Sequence, residues 1–132
     1  MDNPVKVMLV DDEKDFIYTM GYWLKSKGYQ IISAADGAEA LEQFKKDPAD
    51  IVFLDLHMPV MDGIETLKNL RKISKTIPVI IITAYAEEES LNEIEKYGIS
   101  GLFSKDRDFS EGAALIETVL RRHKSLRKEE IK

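Results

Sequence analysis

Apolar residues gather into short runs at 5–10, Gln30–Ala34, 51–54, 79–82 and Gly101–Ser104, each followed by a longer segment with apolar residues three and four apart. Strand-length runs alternating with helical periodicity predict five βα units and a parallel sheet. The polar residues at the ends of the runs matter as much as the runs themselves. Asp11 and Asp12 follow the first, Asp55 the third, Thr83 the fourth, and Lys105 the fifth. Neighbouring parallel strands end on one edge of a sheet, where open α/β folds bind ligands, so acids, a hydroxyl and an ammonium group are expected to meet there.

The helical segments carry start and stop signals. The first is expected over 14–27, burying Phe16, Met20, Trp23 and Leu24 and stopped by Gly28. Asp36 with Glu39, and Asp62 with Glu65, have capping-box spacing. They precede helices that carry Ala40, Leu41 and Phe44 and then Ile64, Leu67 and Leu70. Helix four, expected over 87–97, shows only Leu91 and Ile94 in an acidic stretch, which makes it the least firmly anchored and the best placed to move. The last helix is expected from Ser110 and buries Ile116, Val119 and Leu120, after which residues 121–132 hold six Lys or Arg side chains and two Glu. The domain is therefore expected over 1–121, with 122–132 a charged helical extension or linker.

With 132 residues, 44% of them hydrophobic, the chain suits one domain around a single core. A net charge of −5 supplies no basic field toward nucleic acid or an anionic membrane, so direct contact with either is not expected. The absence of cysteine excludes disulfides and thiolate metal sites, and His57 with His123 does not suggest zinc. No apolar run approaches membrane-spanning length and no basic leader precedes the first one, so a cytoplasmic protein is expected.

Alone, Asp11-Asp12-Glu13 reads as an acidic helix start, favoured by the positive end of the helix dipole. Asp55 carries more information. It follows an apolar run of the kind that parallel strands buried on both faces show, and a carboxylate there needs a partner. Gathered carboxylates raise one another's pKa unless a cation intervenes, and an oxygen-only ligand set suits Mg²⁺. Lys105 is one of nineteen basic residues, but beside Asp55 it would balance the acids and help neutralise an added phosphoryl group. Thr83 reads as an ordinary strand threonine or as a donor to a phosphoryl oxygen.

Four blocks occur in order: Val7-Met8-Leu9-Val10-Asp11-Asp12-Glu13; Phe53-Leu54-Asp55-Leu56-His57-Met58-Pro59-Val60-Met61-Asp62-Gly63; Ile82-Thr83-Ala84; and Ser104-Lys105. With them the chain, from about Val5 to Leu120, resembles the receiver domain of bacterial two-component response regulators. The resemblance implies a doubly wound (βα)5 three-layer sandwich with a five-stranded parallel sheet in the order 2-1-3-4-5. It implies that Asp55 takes a phosphoryl group from a sensor histidine kinase or a phosphotransfer protein. Asp12, Asp55 and the backbone carbonyl of His57 would hold Mg²⁺, Asp11 would act through water, and Thr83 and Lys105 would bind phosphoryl oxygens. Such a domain is not an enzyme in the ordinary sense; it catalyses only its own phosphorylation and dephosphorylation. It switches the face made by helix four, strand five and helix five, toward an output the sequence does not name. The alternative is a small Mg²⁺-dependent phosphohydrolase working through an aspartyl phosphate. Five βα units use the whole chain, however, and leave no cap insertion for a substrate pocket. A flavodoxin-like cofactor binder is disfavoured, because the turn after strand one is acidic where a phosphate loop wants glycines or hydroxyls.

Two positions depart from the family pattern. Leu102 stands three before Lys105, where many receivers have an aromatic residue, with Phe103 beside it. Asp106 follows Lys105 where many receivers have a cis proline, so a trans peptide is expected. In receivers, the positions two after the acceptor and two after the hydroxyl residue border the path of the hydrolytic water; here they are His57 and Tyr85. The bulk of Tyr85 predicts a long-lived phosphoryl group. Met58-Pro59 and Gly63 read as turn residues. Helix four carries Glu87, Glu88, Glu89, Glu93 and Glu95 and helix five carries Arg121, Arg122 and Lys124, so a homodimer favoured by phosphorylation is expected around a two-fold axis.

Overall fold

Strands and helices alternate from end to end in the computed structural model, which describes residues 4–83 and 88–131, with side chains at 4–83 and 92–123. The order is β1 (Lys6–Val10), α1 (Lys14–Ser26), β2 (Gln30–Ala34), α2 (Gly37–Lys46), β3 (Ile51–Asp55), α3 (Gly63–Ile73), β4 (Val79–Thr83), α4 (Glu88–Glu95), β5 (Gly101–Ser104) and α5 (Phe109–Ile131). The strands form one parallel sheet in the order β2-β1-β3-β4-β5, as the resemblance implies.

Period-two alternation along the strands divides the core between the two faces of the sheet. Val7, Leu9, Ile51, Phe53, Ile80 and Ile82 pack with Met20 and Leu24 of α1 and Ile116 and Val119 of α5. Met8, Val10, Val52, Leu54, Val79 and Ile81 pack with Phe44 of α2, Leu67 and Leu70 of α3 and Ile94 of α4. β3 and β4 are buried at every position, as central parallel strands covered by helices must be. The expected caps form in part: Asp36 accepts from the Glu39 amide and Asp62 from the Glu65 amide.

The element ends differ from the sequence expectation in ways that bear on the site. Asp55 and Thr83 do not follow their strands but end them, because Asp55 is still paired with Ile82 and Thr83 with Ser104. α4 is shorter than expected, and Glu87 lies outside the described residues. α5 begins at Phe109 and runs on to Ile131, so the charged stretch prolongs the helix.

α4 has no basic residue in its own last turn, and Arg71 of α3 serves it instead. The guanidinium donates from Nε to the Tyr97 carbonyl (2.7 Å), from one Nη to Ser74 (3.2 Å) and Ile77 (2.8 Å), and from the other to Gly98 (2.7 Å). Burial lowers the Arg71 pKa, yet it remains a cation facing the negative C-terminal ends of α3 and α4. Arg71→Ala leaves these carbonyls without their donors and is expected to cost about 3 kcal/mol in denaturant unfolding. Amide exchange should rise at residues 97–100. Arg71→Lys, which lacks the planar fork, should recover only part of the loss.

Candidate functional site

Register builds the site. Val10 pairs with Leu54, so Asp11 and Asp55 emerge level from adjacent strands. Beyond β5, the Lys105 amide donates to the Thr83 carbonyl (3.1 Å), which keeps Lys105 on the same edge. Asp11, Asp12 and Asp55 offer carboxylate oxygens that all lie within 4.8 Å of one another. Asp11 and Asp55 are buried, while Asp12 is exposed. Alternation explains the difference, since Asp11 continues β1 by donating its amide N–H to the Ala34 carbonyl (3.1 Å).

Lys105 reaches the acids unevenly. Its Nζ lies 2.6 Å from Glu13 Oε1, 2.9 Å from Asp11 Oδ2 and 3.9 Å from Asp55 Oδ2, and 5.1 Å from the centre of the Phe16 ring. Asp55 Oδ1 accepts from the His57 amide (3.2 Å), and Asp11 Oδ1 from the Glu13 amide (2.9 Å). Burial, followed by the charge of Asp11, pushes the Asp55 pKa up to about 6, against the His57 amide and Lys105, which pull it down. Burial also lowers the Lys105 pKa, but hydrogen bonds to Glu13 and Asp11 and the charges of Asp11 and Asp55 outweigh it and leave the ammonium above its ordinary value.

These residues fit a hard cation. The buried Asp11 Oδ2 has the Lys105 ammonium, at 2.9 Å, as its charged partner, and that one cation faces three clustered aspartates. Three carboxylate oxygens within 4.8 Å of one another form the hard, oxygen-only donor set that Mg²⁺ takes.

The loop between β3 and α3 holds Asp55 in place by close backbone packing. Gly63 donates its amide to the Leu56 carbonyl (2.9 Å), and a Cβ there would stand 2.3 Å from the Asp55 carbonyl oxygen. Gly63 is therefore not a turn residue but the first residue of α3, seated on the strand end. Val60, fully exposed, has a φ of 68° in a three-residue turn closed by the Met61 amide on the Pro59 carbonyl (2.8 Å).

Chemotaxis protein CheY4 of Vibrio cholerae is 30% identical in sequence and superposes with a TM-score of 0.85, over 89% of this chain and 99% of that one. Residues 7–117 match the family model described as the response regulator receiver domain. The chain belongs to this family. The receiver is 38% identical over 106 residues to sporulation initiation phosphotransferase F of Bacillus subtilis, covering 80% of this chain and 86% of that protein. It is 33% identical over 117 residues to the alkaline phosphatase synthesis transcriptional regulatory protein PhoP of the same organism, of which it spans 49%. It spans 26% of the transcriptional regulatory protein ZraR of Escherichia coli, at 34% identity.

The acids and Lys105 of the receiver come together as the sequence reading expected. Thr83, buried, ends β4 beside β5. Phe103 is core, edge-on to Phe53 at 6.1 Å between centroids, so the aromatic residue beside Leu102 is turned inward; Leu102 itself is exposed. No cis peptide occurs among the described residues, so the Lys105-Asp106 bond is trans as expected. His57 is exposed, whereas Tyr85 lies outside the described residues. Glu13 and Phe16 are the contributors that sequence reasoning missed. One was read as part of an acidic helix start and the other as core, and no local signal links either to a lysine some ninety positions later. Among the described residues no helix is long and apolar enough to cross a membrane.

Proposed function

We propose that this receiver is phosphorylated on Asp55 in a Mg²⁺-dependent transfer from a sensor histidine kinase or phosphotransfer protein. The observation that carries the reading is the buried Asp11–Asp55 pair, with Asp12 at its rim and Lys105 alongside. A carboxylate oxygen of Asp55 forms a bond to phosphorus as the P–N bond to the donor histidine breaks. The electron pair leaves with the imidazole, which takes up a proton. Lys105 and the Thr83 hydroxyl then bind the phosphoryl oxygens, so β4 and β5 sense occupancy. Asp12, Asp55 and the His57 backbone carbonyl, with Asp11 through water, would hold Mg²⁺, which would supply positive charge against the transferring group.

The chain acts only on itself in this scheme, turning over its own acyl phosphate in the cytoplasm. Its output runs through α4, β5 and α5. Exposed Glu93 and Glu95 on α4 and Arg121 and Arg122 on α5 support a homodimer favoured by phosphorylation; the side chains of Glu88, Glu89 and Lys124 lie outside the described residues.

Incubation with Mg²⁺ and acetyl phosphate should add one phosphoryl group to the intact mass. The gain should vanish with EDTA or in Asp55→Ala, and Asp12→Asn should require more Mg²⁺. Light scattering on the same samples should show a rise toward dimer mass. An unmodified wild-type protein overturns the proposal, and an unchanged scattering mass removes the dimer.

A further inference from the structure

The shortest contact of the Lys105 ammonium is with Glu13, a residue outside the acceptor and metal set, and not with the acceptor. Its 2.6 Å separation from Glu13 compares with 3.9 Å to Asp55. Glu13 occupies the N-cap position of α1 but makes no side-chain cap bond. Its amide is already taken by Asp11. The carboxylate is 62% exposed and could remain in water, yet it closes on a lysine that is only 15% exposed. The Phe16 face completes this resting position, and Phe16 in turn meets Phe109 at the start of α5 at 6.1 Å. A cation placed this way is held on the α1 side of the site by Glu13, Asp11 and the ring together.

We infer that Glu13 is a positioning residue that holds Lys105 on the α1 side in the unphosphorylated protein and sets the cost of delivering the ammonium to a phosphoryl group on Asp55. The inference rests on the phosphoacceptor reading of Asp55. An ammonium that closes on a group attached to Asp55 lengthens its contact with Glu13, so the two compete for one cation. Glu13 thereby opposes the activated arrangement, and phosphorylation exchanges one partner of Lys105 for another. Phe16 loses the cation at the same step, which links the exchange to the α1–α5 contact.

The test uses beryllofluoride, a phosphoryl mimic, with saturating Mg²⁺ and calorimetric detection. Glu13→Gln is expected to bind it about 2–5-fold tighter, the range for releasing a partly exposed ion pair. Asp15→Asn makes the same charge change on the first turn of α1, but Asp15 is not among the ion-pair partners of Lys105, so its affinity should stay near wild type. In metal-free protein, the ¹⁵N resonance of Lys105 Nζ should shift in Glu13→Gln and not in Asp15→Asn. Equal tightening in both variants would show a general field effect and overturn the inference, as would an unmoved Nζ resonance in Glu13→Gln. Wild-type protein that fails to bind beryllofluoride overturns the phosphoacceptor reading and this inference together, whereas wild-type binding without a Glu13 effect removes this inference alone.

Discussion

Gly63→Ala is expected to lower the midpoint of thermal unfolding by about 10 °C or more and to reduce phosphoryl uptake on Asp55. The added methyl would meet the Asp55-Leu56 backbone, at 2.3 Å from the Asp55 carbonyl oxygen and 2.5 Å from Leu56 Cα. Neither atom belongs to a side chain that can rotate away, so α3 or the end of β3 must move. Overpacking of this kind costs about 3 kcal/mol. Movement of β3 displaces Asp55 and the His57 amide that orients it, which is why uptake falls along with stability. Gly21→Ala is the matched control, since a Cβ there meets only the Ile31 and Leu9 side chains, at ordinary distances of 3.5 and 3.7 Å, and the change removes a glycine from inside α1. It should be neutral or stabilising by about 0.5–1 kcal/mol. Calorimetric scans of the two variants decide the matter; similar small shifts in both would show that the β3–α3 seat yields easily.

Asp55→Asn is expected to abolish phosphorylation while making the metal-free protein more stable at pH 7, by about 1–2 kcal/mol. In the native state the Asp55 pKa is raised to about 6 by burial and by Asp11. In the unfolded chain it returns to an ordinary carboxylate value near 4. Between those values the native state holds a proton that the unfolded state has lost, so stability falls as pH rises through the window. Above pH 6 the whole penalty of the buried anion is present. A shift of about two units would correspond to roughly 3 kcal/mol if fully felt, and solvent at the open edge of the site reduces it. Denaturant melts in EDTA should therefore show the advantage of Asp55→Asn at pH 7 shrinking toward zero near pH 4. With Mg²⁺ present the order should reverse, because the wild-type carboxylates gain the ion and the variant loses a ligand. A variant less stable than wild type without metal, or an advantage independent of pH, would sink the electrostatic account.

The placement of Asp11, Asp55, Thr83 and Lys105 was legible because each stands at or just past the carboxyl end of an apolar run. The end of a β-branched run can be placed to within a residue or so, which put Asp55 and Lys105 on one edge, and the resemblance supplied the roles expected of them. The departure at Leu102 was equally visible, but that Phe103 faces the core against Phe53 depends on how β5 lies on β4. The element ends were less legible: Asp55 and Thr83 still pair with Ile82 and Ser104, and pairing belongs to two strands at once.

The sequence by itself determined five βα units, the caps at Asp36 and Asp62, and which polar residues stand at the sheet's carboxyl edge, since these follow from periodicity and from neighbours three or four positions apart. Resemblance to the family added the strand order. Only the tertiary structure decided that Asp11 is buried while Asp12 is exposed, that Lys105 lies nearer Glu13 and Asp11 than Asp55, that Arg71 reaches Tyr97 and Gly98, and that Gly63 leaves no room for a methyl group. In each case the partners are set by strand register or by one element's approach to another. Distances of 2 to 4 Å between groups far apart in the chain exist only once the sheet has aligned them.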